Sequence, residues 1–161
     1  MNVFHGSTLA VPVPDTTRSK RFLDFGRAFY VTSFKDQAER WARRKAMRTG
    51  GKPFVSEYCL ADDLSAWKTL RFADDGEWLD FVCSCRRGGD AYTAWDIVWG
   101  KVANDDVFKT VDAYLRGLWD KARALEELRY ARANDQIAFV SQAALDASLS
   151  FVRSIQLPDI P

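Results

Sequence analysis

One stretch, Asp24 to Trp41, narrows what this chain can fold into more than any other. Asp24-Phe25-Gly26-Arg27-Ala28-Phe29-Tyr30-Val31-Thr32 reads as a glycine turn running into a short aromatic strand. Ser33 is then the expected N-cap of a helix over about Lys35 to Met47. That helix sets Trp41 eleven residues after Tyr30. A strand ending in one large ring, followed by a helix offering a second, can grip a flat ligand from two sides, as base or nicotinamide stacking requires. The same spacing also serves an ordinary aromatic core.

Around this stretch, strand-like and helix-like segments alternate unevenly. Asn2–His5 reads as a strand ending at Gly6-Ser7, and residues 8–23 as a loop, because Pro12 and Pro14 block regular structure. Strands are expected at Pro53–Leu60 and Trp67–Phe72, with an acidic turn at Asp62-Asp63 between them. A helix over Glu77–Arg86 presents Trp78, Phe81 and Val82 and stops at Gly88-Gly89; Trp95–Trp99 follows as a short strand ending at Gly100. Asn104 is the expected cap of a helix whose Val107, Val111, Tyr114 and Leu118 form one stripe, and after Gly117 a second helix covers about Asp120–Tyr130. Gln136–Val140 reads as a strand, Ser141–Ala147 as a short helix and Ser150–Ile155 as the last strand. The order predicts one α+β domain over 1–161 instead of a regular βαβ array, and 161 residues suffice for one core.

The net charge of +1 hides an uneven distribution. Residues 1–52 carry eleven Lys and Arg against four Asp and Glu; residues 53–106 carry five against eleven. A basic third that contains the aromatic pair suits an anionic partner, either a phosphate-bearing cofactor or a nucleic acid. Arg40, Arg44 and Arg48 also fit a plain solvated helix face. Cys59, Cys83 and Cys85 with a single histidine make neither a disulfide framework nor a zinc site, so buried or incidental thiols and no metal are expected. No apolar run approaches the roughly 18 residues of a membrane span, and the N-terminus lacks a leader pattern, so a cytoplasmic protein with no membrane association is expected.

Three separated segments then fall into a recognisable order: Phe4-His5-Gly6-Ser7; Gly26 with Phe29-Tyr30-Val31-Thr32 and Trp41; and Asn134-Asp135-Gln136-Ile137-Ala138-Phe139. This order resembles the ADP-ribosyltransferases of the diphtheria-toxin and poly(ADP-ribose)-polymerase type. Those share a His-Gly-Ser/Thr strand, a Gly-x-x-x-Tyr strand with a helical aromatic after it, and a late strand bearing Glu or a substitute. Asp24–Tyr30, Asp96–Phe108 and Asn134–Ile137 are also similar to a small bacterial domain family of unknown function. Its members share Asp-Phe-Gly-x-Gly-Phe-Tyr, an Asp-Ile-Val-x-Gly…Asp-Asp-x-Val/Phe stretch and Asn-x-Gln-Ile. The motifs are short; their order and spacing over nearly the whole chain carry the resemblance.

The resemblance implies an ADP-ribosyltransferase-like split β-sandwich with peripheral helices, and NAD as substrate. NAD cleavage passes through an oxocarbenium-like state, comparable to glycoside cleavage. By the same resemblance, Gly6 would meet the carboxamide through its backbone, with Ser7 beside it, and His5 would bond a ribose hydroxyl. Tyr30 and Trp41 would pack the nicotinamide faces, and Gln136 would orient the ribose or the incoming nucleophile. Arg18, Lys20, Arg21 or Arg27 would meet the pyrophosphate. Without the resemblance, His5 is an ordinary hydrogen-bonded core residue; Trp95 and Trp99 read as core and Asp96 as structural.

Two positions depart from the pattern. Ala28 stands where the bacterial family has a second glycine, which narrows backbone freedom at that turn. Gln136 stands where the best-known enzymes have glutamate, and an amide neither ionises nor acts as a general base. The implied activity is therefore a single ADP-ribose transfer to a macromolecular acceptor, nucleic acid or protein, with the basic segment favouring an anionic one. A bacterial toxin or defence factor with an antitoxin partner is the implied setting. An NAD glycohydrolase and a catalytically silent NAD-binding interaction module stand as alternatives.

Overall fold

A computed structural model of the chain describes residues 1–20, 22–73, 75–102, 105–129 and 134–158. Along these residues the elements are β1 Asn2–Ser7, β2 Phe29–Val31, α1 Lys35–Thr49, β3 Phe54–Leu60, β4 Thr69–Arg71 and α2 Asp75–Arg86. They continue as β5 Ile97–Gly100, α3 Asp105–Leu115, α4 Lys121–Leu128, β6 Gln136–Phe139, α5 Gln142–Ser148 and β7 Leu149–Gln156. The fold is α+β, as the uneven order predicts. One sheet has the strand order β1-β3-β7 and is antiparallel; the other has the order β2-β6-β5-β4, with only the β4–β5 pair parallel.

Side-chain alternation sorts the core into three layers. Val3, Tyr58 and Leu60 of the first sheet meet Phe29, Val31, Ile97, Ile137 and Phe139 of the second, and α5 closes this inner core. The outer face of the second sheet, with Ala28, Val98 and Ala138, is covered by Trp78, Leu79, Val82, Val107, Val111, Ala124 and Leu128 from α2, α3 and α4. On the outer face of the first sheet, α1 lies close because the residues it turns inward, Ala38 and Ala42, are small; Val55 and Leu157 complete that layer. Gly50, at φ 74, ends α1 by donating its N–H to Ala46 O at 2.8 Å.

Several local expectations change. Ser33 does not cap α1: Phe34 holds that position without a side-chain bond, and Ser33 Oγ donates instead to Asp135 Oδ2 at 2.7 Å. Leu118 leaves its stripe because α3 ends at Leu115 and Gly117, at φ 71, turns the chain; Leu118 is exposed. Cys83 and Cys85 are buried, but Cys59 is exposed. The loop over residues 8–20 is fastened: Val11 N–H donates to Ser56 Oγ (3.1 Å), and Thr16 N–H donates to Gln142 Oε1 (3.0 Å). Ala28 fits where a second glycine was expected, because its φ is negative and its methyl is buried in the core. Asp96 is structural, accepting from Lys68 N–H at 3.0 Å. Trp95 and Trp99 are partly buried against the two larger cores. Arg21, Asn104 and Tyr130 lie outside the described residues.

Candidate functional site

The site is built where the two sheets meet. Phe4 N–H donates to Thr32 O at 2.8 Å, and Thr32 N–H returns to Phe4 O at 2.9 Å. In an antiparallel ladder the next hydrogen-bonded pair would join Gly6 to Tyr30. Among the described residues the ladder stops short of it, because His5 Nδ1 takes Tyr30 O at 2.7 Å. A carbonyl only accepts, so Nδ1 carries the proton and Nε2 is left as an acceptor. The half-buried ring also stacks on Phe29, with centroids 4.5 Å apart. Desolvation pulls the His5 pKa down to about 4, opposed by the bond to the Tyr30 carbonyl and assisted by the charge of Lys45. At neutral pH, His5 is therefore an uncharged wedge that parts the two sheets, with the Gly6 N–H and C=O turned toward the gap.

Register decides which side chains share a side. Directly opposed residues share a face. The Phe4–Thr32 bridge thus puts Phe4 and Gly6 on the side of Tyr30, and the Tyr30–Ala138 pair adds Gln136, two residues along β6. α1 lies on this side too. A Cβ on Gly6 would come within 2.9 Å of Ala42 N, and closer still to Ala38 O. The fold itself therefore requires glycine at this position, whatever else its backbone does.

Tyr30 and Gln136 are both anchored on the Asp24–Gly26 turn. Tyr30 OH donates to Gly26 O (2.6 Å) and accepts from Phe25 N–H (3.1 Å), and burial followed by the Asp24 charge holds its pKa well above the usual phenol value. Gln136 Nε2 donates to Asp24 Oδ2 (3.2 Å) and Lys101 O (3.3 Å), while Arg86 Nε (2.9 Å) and its terminal nitrogen (2.6 Å) hold Asp24 Oδ1. The two neighbours of Gln136 fix the strand start. Asn134 Oδ1 accepts from Val102 N–H (2.9 Å), and Asp135 Oδ1 accepts from Thr32 Oγ1 and Ser33 N–H (both 2.8 Å).

α1 adds residues that the sequence reading passed over. Gln37, Trp41 and Lys45 follow at i, i+4 and i+8, on one stripe of the helix. Gln37 Nε2 donates to Asp135 O at 2.7 Å, and its buried Oε1 has no partner among the described residues. Trp41 is 51% exposed, so it is not a core residue. Lys45 Nζ reaches Ser7 Oγ at 3.5 Å. The stripe thus runs from the start of β6, beside Gln136, to the end of β1. Spacing from Trp41 was the available signal for Gln37 and Lys45; nothing local marked Asp24 as the partner of Gln136, or Arg86 as the partner of Asp24.

The described basic residues expected at a pyrophosphate, Arg18, Lys20 and Arg27, lie on the surface, Arg27 directly after the turn that anchors Tyr30. Arg27 and Lys20 are exposed, and Arg18, 85% exposed at its side chain, pairs with Asp15 at 3.4 Å. Arg40, Arg44 and Arg48 lie exposed along α1. Two shallow hollows, of about 260 and 250 Å³, flank Trp99 and the Arg71 guanidinium stacked 3.9 Å from its ring centroid, and neither includes His5. Among the described residues, no three His, Cys, Asp or Glu side chains converge as metal ligands would, and no helix is long and apolar enough to cross a membrane.

One family's pattern matches residues 1–151. The chain belongs to the DUF3990 family. DUF3990 is described as a protein of unknown function. No curated protein and no solved structure matches. The span that matches DUF3990 holds every residue of the site, from His5 on β1 to Gln136 on β6.

Proposed function

We propose that this protein is a mono-ADP-ribosyltransferase that cleaves NAD and passes ADP-ribose to a macromolecular acceptor, nucleic acid or protein. One observation carries the reading: the β1–β2 ladder is interrupted where the Gly6 backbone would have paired with Tyr30, and the half-exposed Trp41 stands on the same side. A planar carboxamide has one acceptor and an NH₂ donor, so it suits a strand edge with a free N–H and C=O. The uncharged His5 offers Nε2 to a ribose hydroxyl. Gln136, its NH₂ engaged by Asp24, turns its amide oxygen to the same task.

In the reaction the bond from ribose C1′ to the nicotinamide nitrogen breaks, and nicotinamide leaves as the neutral base. A lone pair of the acceptor bonds C1′, and the acceptor's proton passes to water. Gln136 cannot remove that proton, so the acceptor must already be nucleophilic. A toxin or defence role under the control of an antitoxin belongs to the same proposal.

The test is nicotinamide release from NAD by the purified protein, with and without cell lysate, alongside folded His5→Ala and Gln136→Ala. Release that needs lysate and is lost in His5→Ala is the expected result. Release without any acceptor would make the protein a glycohydrolase. NAD binding with no release in either condition would overturn the enzyme reading and leave a binding module. Nuclease or protease treatment of the labelled lysate then identifies the acceptor class.

A further inference from the structure

Lys45 is a cation without a counter-charge among the described residues. Its amine is half-buried between α1 and the end of β1, and its one bonded neighbour among those residues is the Ser7 hydroxyl, 3.5 Å away. No described carboxylate pairs with it, unlike Lys35, Lys101 and Lys121, which reach Glu39, Asp75 and Asp80. The surroundings make this costly: desolvation and the nearby Arg48 charge both lower its pKa. A lysine that merely covered apolar surface would keep its amine in water. Here the amine is turned inward, toward Ser7 and within electrostatic reach of His5. One turn earlier on the same stripe is the exposed ring of Trp41, and one turn before that is the unpartnered oxygen of Gln37. The stripe thus sets in a row an acceptor without a partner among the described residues, an exposed ring, and a cation without a described counter-charge.

We propose that Lys45, with Ser7, forms the subsite for a phosphate-class anion at the open end of β1, and that in the bound dinucleotide this anion is the pyrophosphate. The second clause rests on the NAD reading; the first does not. The proposal favours Lys45 over Arg18, Lys20 and Arg27, exposed side chains that no bond among the described residues ties to Ser7 or His5. The Ser7 hydroxyl can turn its hydrogen toward a phosphate oxygen while Lys45 supplies the charge. His5, lying alongside, reports the event: an anion beside it favours its protonated form and raises its pKa.

Inorganic pyrophosphate, ADP-ribose and nicotinamide are titrated into the full chain, with affinity read by calorimetry and the single histidine followed by NMR. Wild type should bind pyrophosphate and ADP-ribose and show an upward shift of the His5 pKa with either. Lys45→Met, or Lys45→Gln should the first fold poorly, should weaken both by about tenfold or more while leaving nicotinamide affinity unchanged. Lys45→Arg should stay within about threefold of wild type. Failure of wild type to bind pyrophosphate and ADP-ribose, or binding by Lys45→Met within twofold of wild type, would overturn the subsite. Pyrophosphate binding that depends on Lys45, in a protein that neither binds nor cleaves NAD, would retain the anion subsite and reject the NAD reading. NAD cleavage with an unaltered KM in Lys45→Met would do the reverse.

Discussion

Replacing Gln136 by glutamate shows why an amide stands on β6. Gln136 is buried, and its Nε2 lies 3.2 Å from Asp24 Oδ2, while Arg86 holds the other Asp24 oxygen at 2.6 Å. Gln136→Glu exchanges that donor for a second carboxylate facing the first. At such a separation two charges repel by about 5 kcal/mol at an effective dielectric of about 20. The folded protein can avoid this by keeping the introduced carboxyl protonated, which from a free pKa of about 4.3 costs about 3–4 kcal/mol at pH 7. That sets the expected loss, a fall in Tm of roughly 7–15 °C for a chain of this size. The sign with pH follows from linkage: the folded-state pKa is raised, so the deficit grows as pH rises above about 4 and vanishes below it. Thermal unfolding of wild type, Gln136→Glu and Asp24→Asn/Gln136→Glu at pH 4 and pH 7 tests this. The single variant should recover at the lower pH, and the double variant should recover at both. A Gln136→Glu protein that melts with wild type at pH 7 would refute the reasoning, because the amide would then not be serving as a donor to Asp24.

Four further outcomes are expected. His5, with a pKa lowered to about 4, should make stability fall as pH drops from about 6.5 to about 4, because the unfolded chain takes up a proton that the fold excludes; solvent reaching the partly buried ring reduces this to about 1–2 kcal/mol beyond the loss in His5→Gln, and an NMR pKa near 6.5 would contradict it. Gly6→Ala should lose about 3 kcal/mol, since the backbone atoms of α1 cannot rotate away from a new Cβ, whereas Gly51→Ala, whose nearest neighbours are the side chains of Thr8 at 3.2 Å and Thr49 at 3.5 Å, should change the urea midpoint little. Trp41→Ala should leave Tm nearly unchanged and abolish nicotinamide release, while Tyr30→Phe, stripped of its bonds to Gly26 and Phe25, should lose about 1–2 kcal/mol, measured by denaturant titration. Asp135→Ala should cost about 2–3 kcal/mol and loosen the β2–α1 corner, seen as faster amide exchange at Ser33, because the Thr32 hydroxyl and the Ser33 amide lose a charged acceptor.

Short-range signals in the sequence place the elements well, and partners across the chain poorly. The run Gln136–Val140, the Arg40-Arg44-Arg48 stripe and Gly117 act within a few residues, so periodicity and punctuation suffice to find β6, α1 and the end of α3. Ser33 misled because a serine before a helix has two outlets for its hydroxyl, the helix amides or a distant carboxylate. Asp135, 102 residues away, offers a charged acceptor, and that bond forms instead. The same contest explains why Lys45 was passed over. A lysine in a basic helix reads as solvated, and only the closeness of α1 to β1, set by Gly6 and the inward alanines, turns it inward.

That closeness also bears on how the site and the fold depend on each other. Gly6 admits α1, α1 carries Trp41 and Lys45 to the end of β1, and His5, by taking the Tyr30 carbonyl, keeps β2 from zipping onto the strand edge they flank. A valine at position 5 would leave that carbonyl to the Gly6 N–H and let the ladder extend, closing the gap without disturbing the inner core, where β-branched residues pack well. His5→Val should therefore retain or raise Tm and protect the Tyr30 and Gly6 amides from exchange, while losing ligand binding altogether. Slower exchange at those two amides would identify His5 as the group that holds the sheets apart. Unchanged or faster exchange would mean that the split is set elsewhere, and the wedge would have to be abandoned.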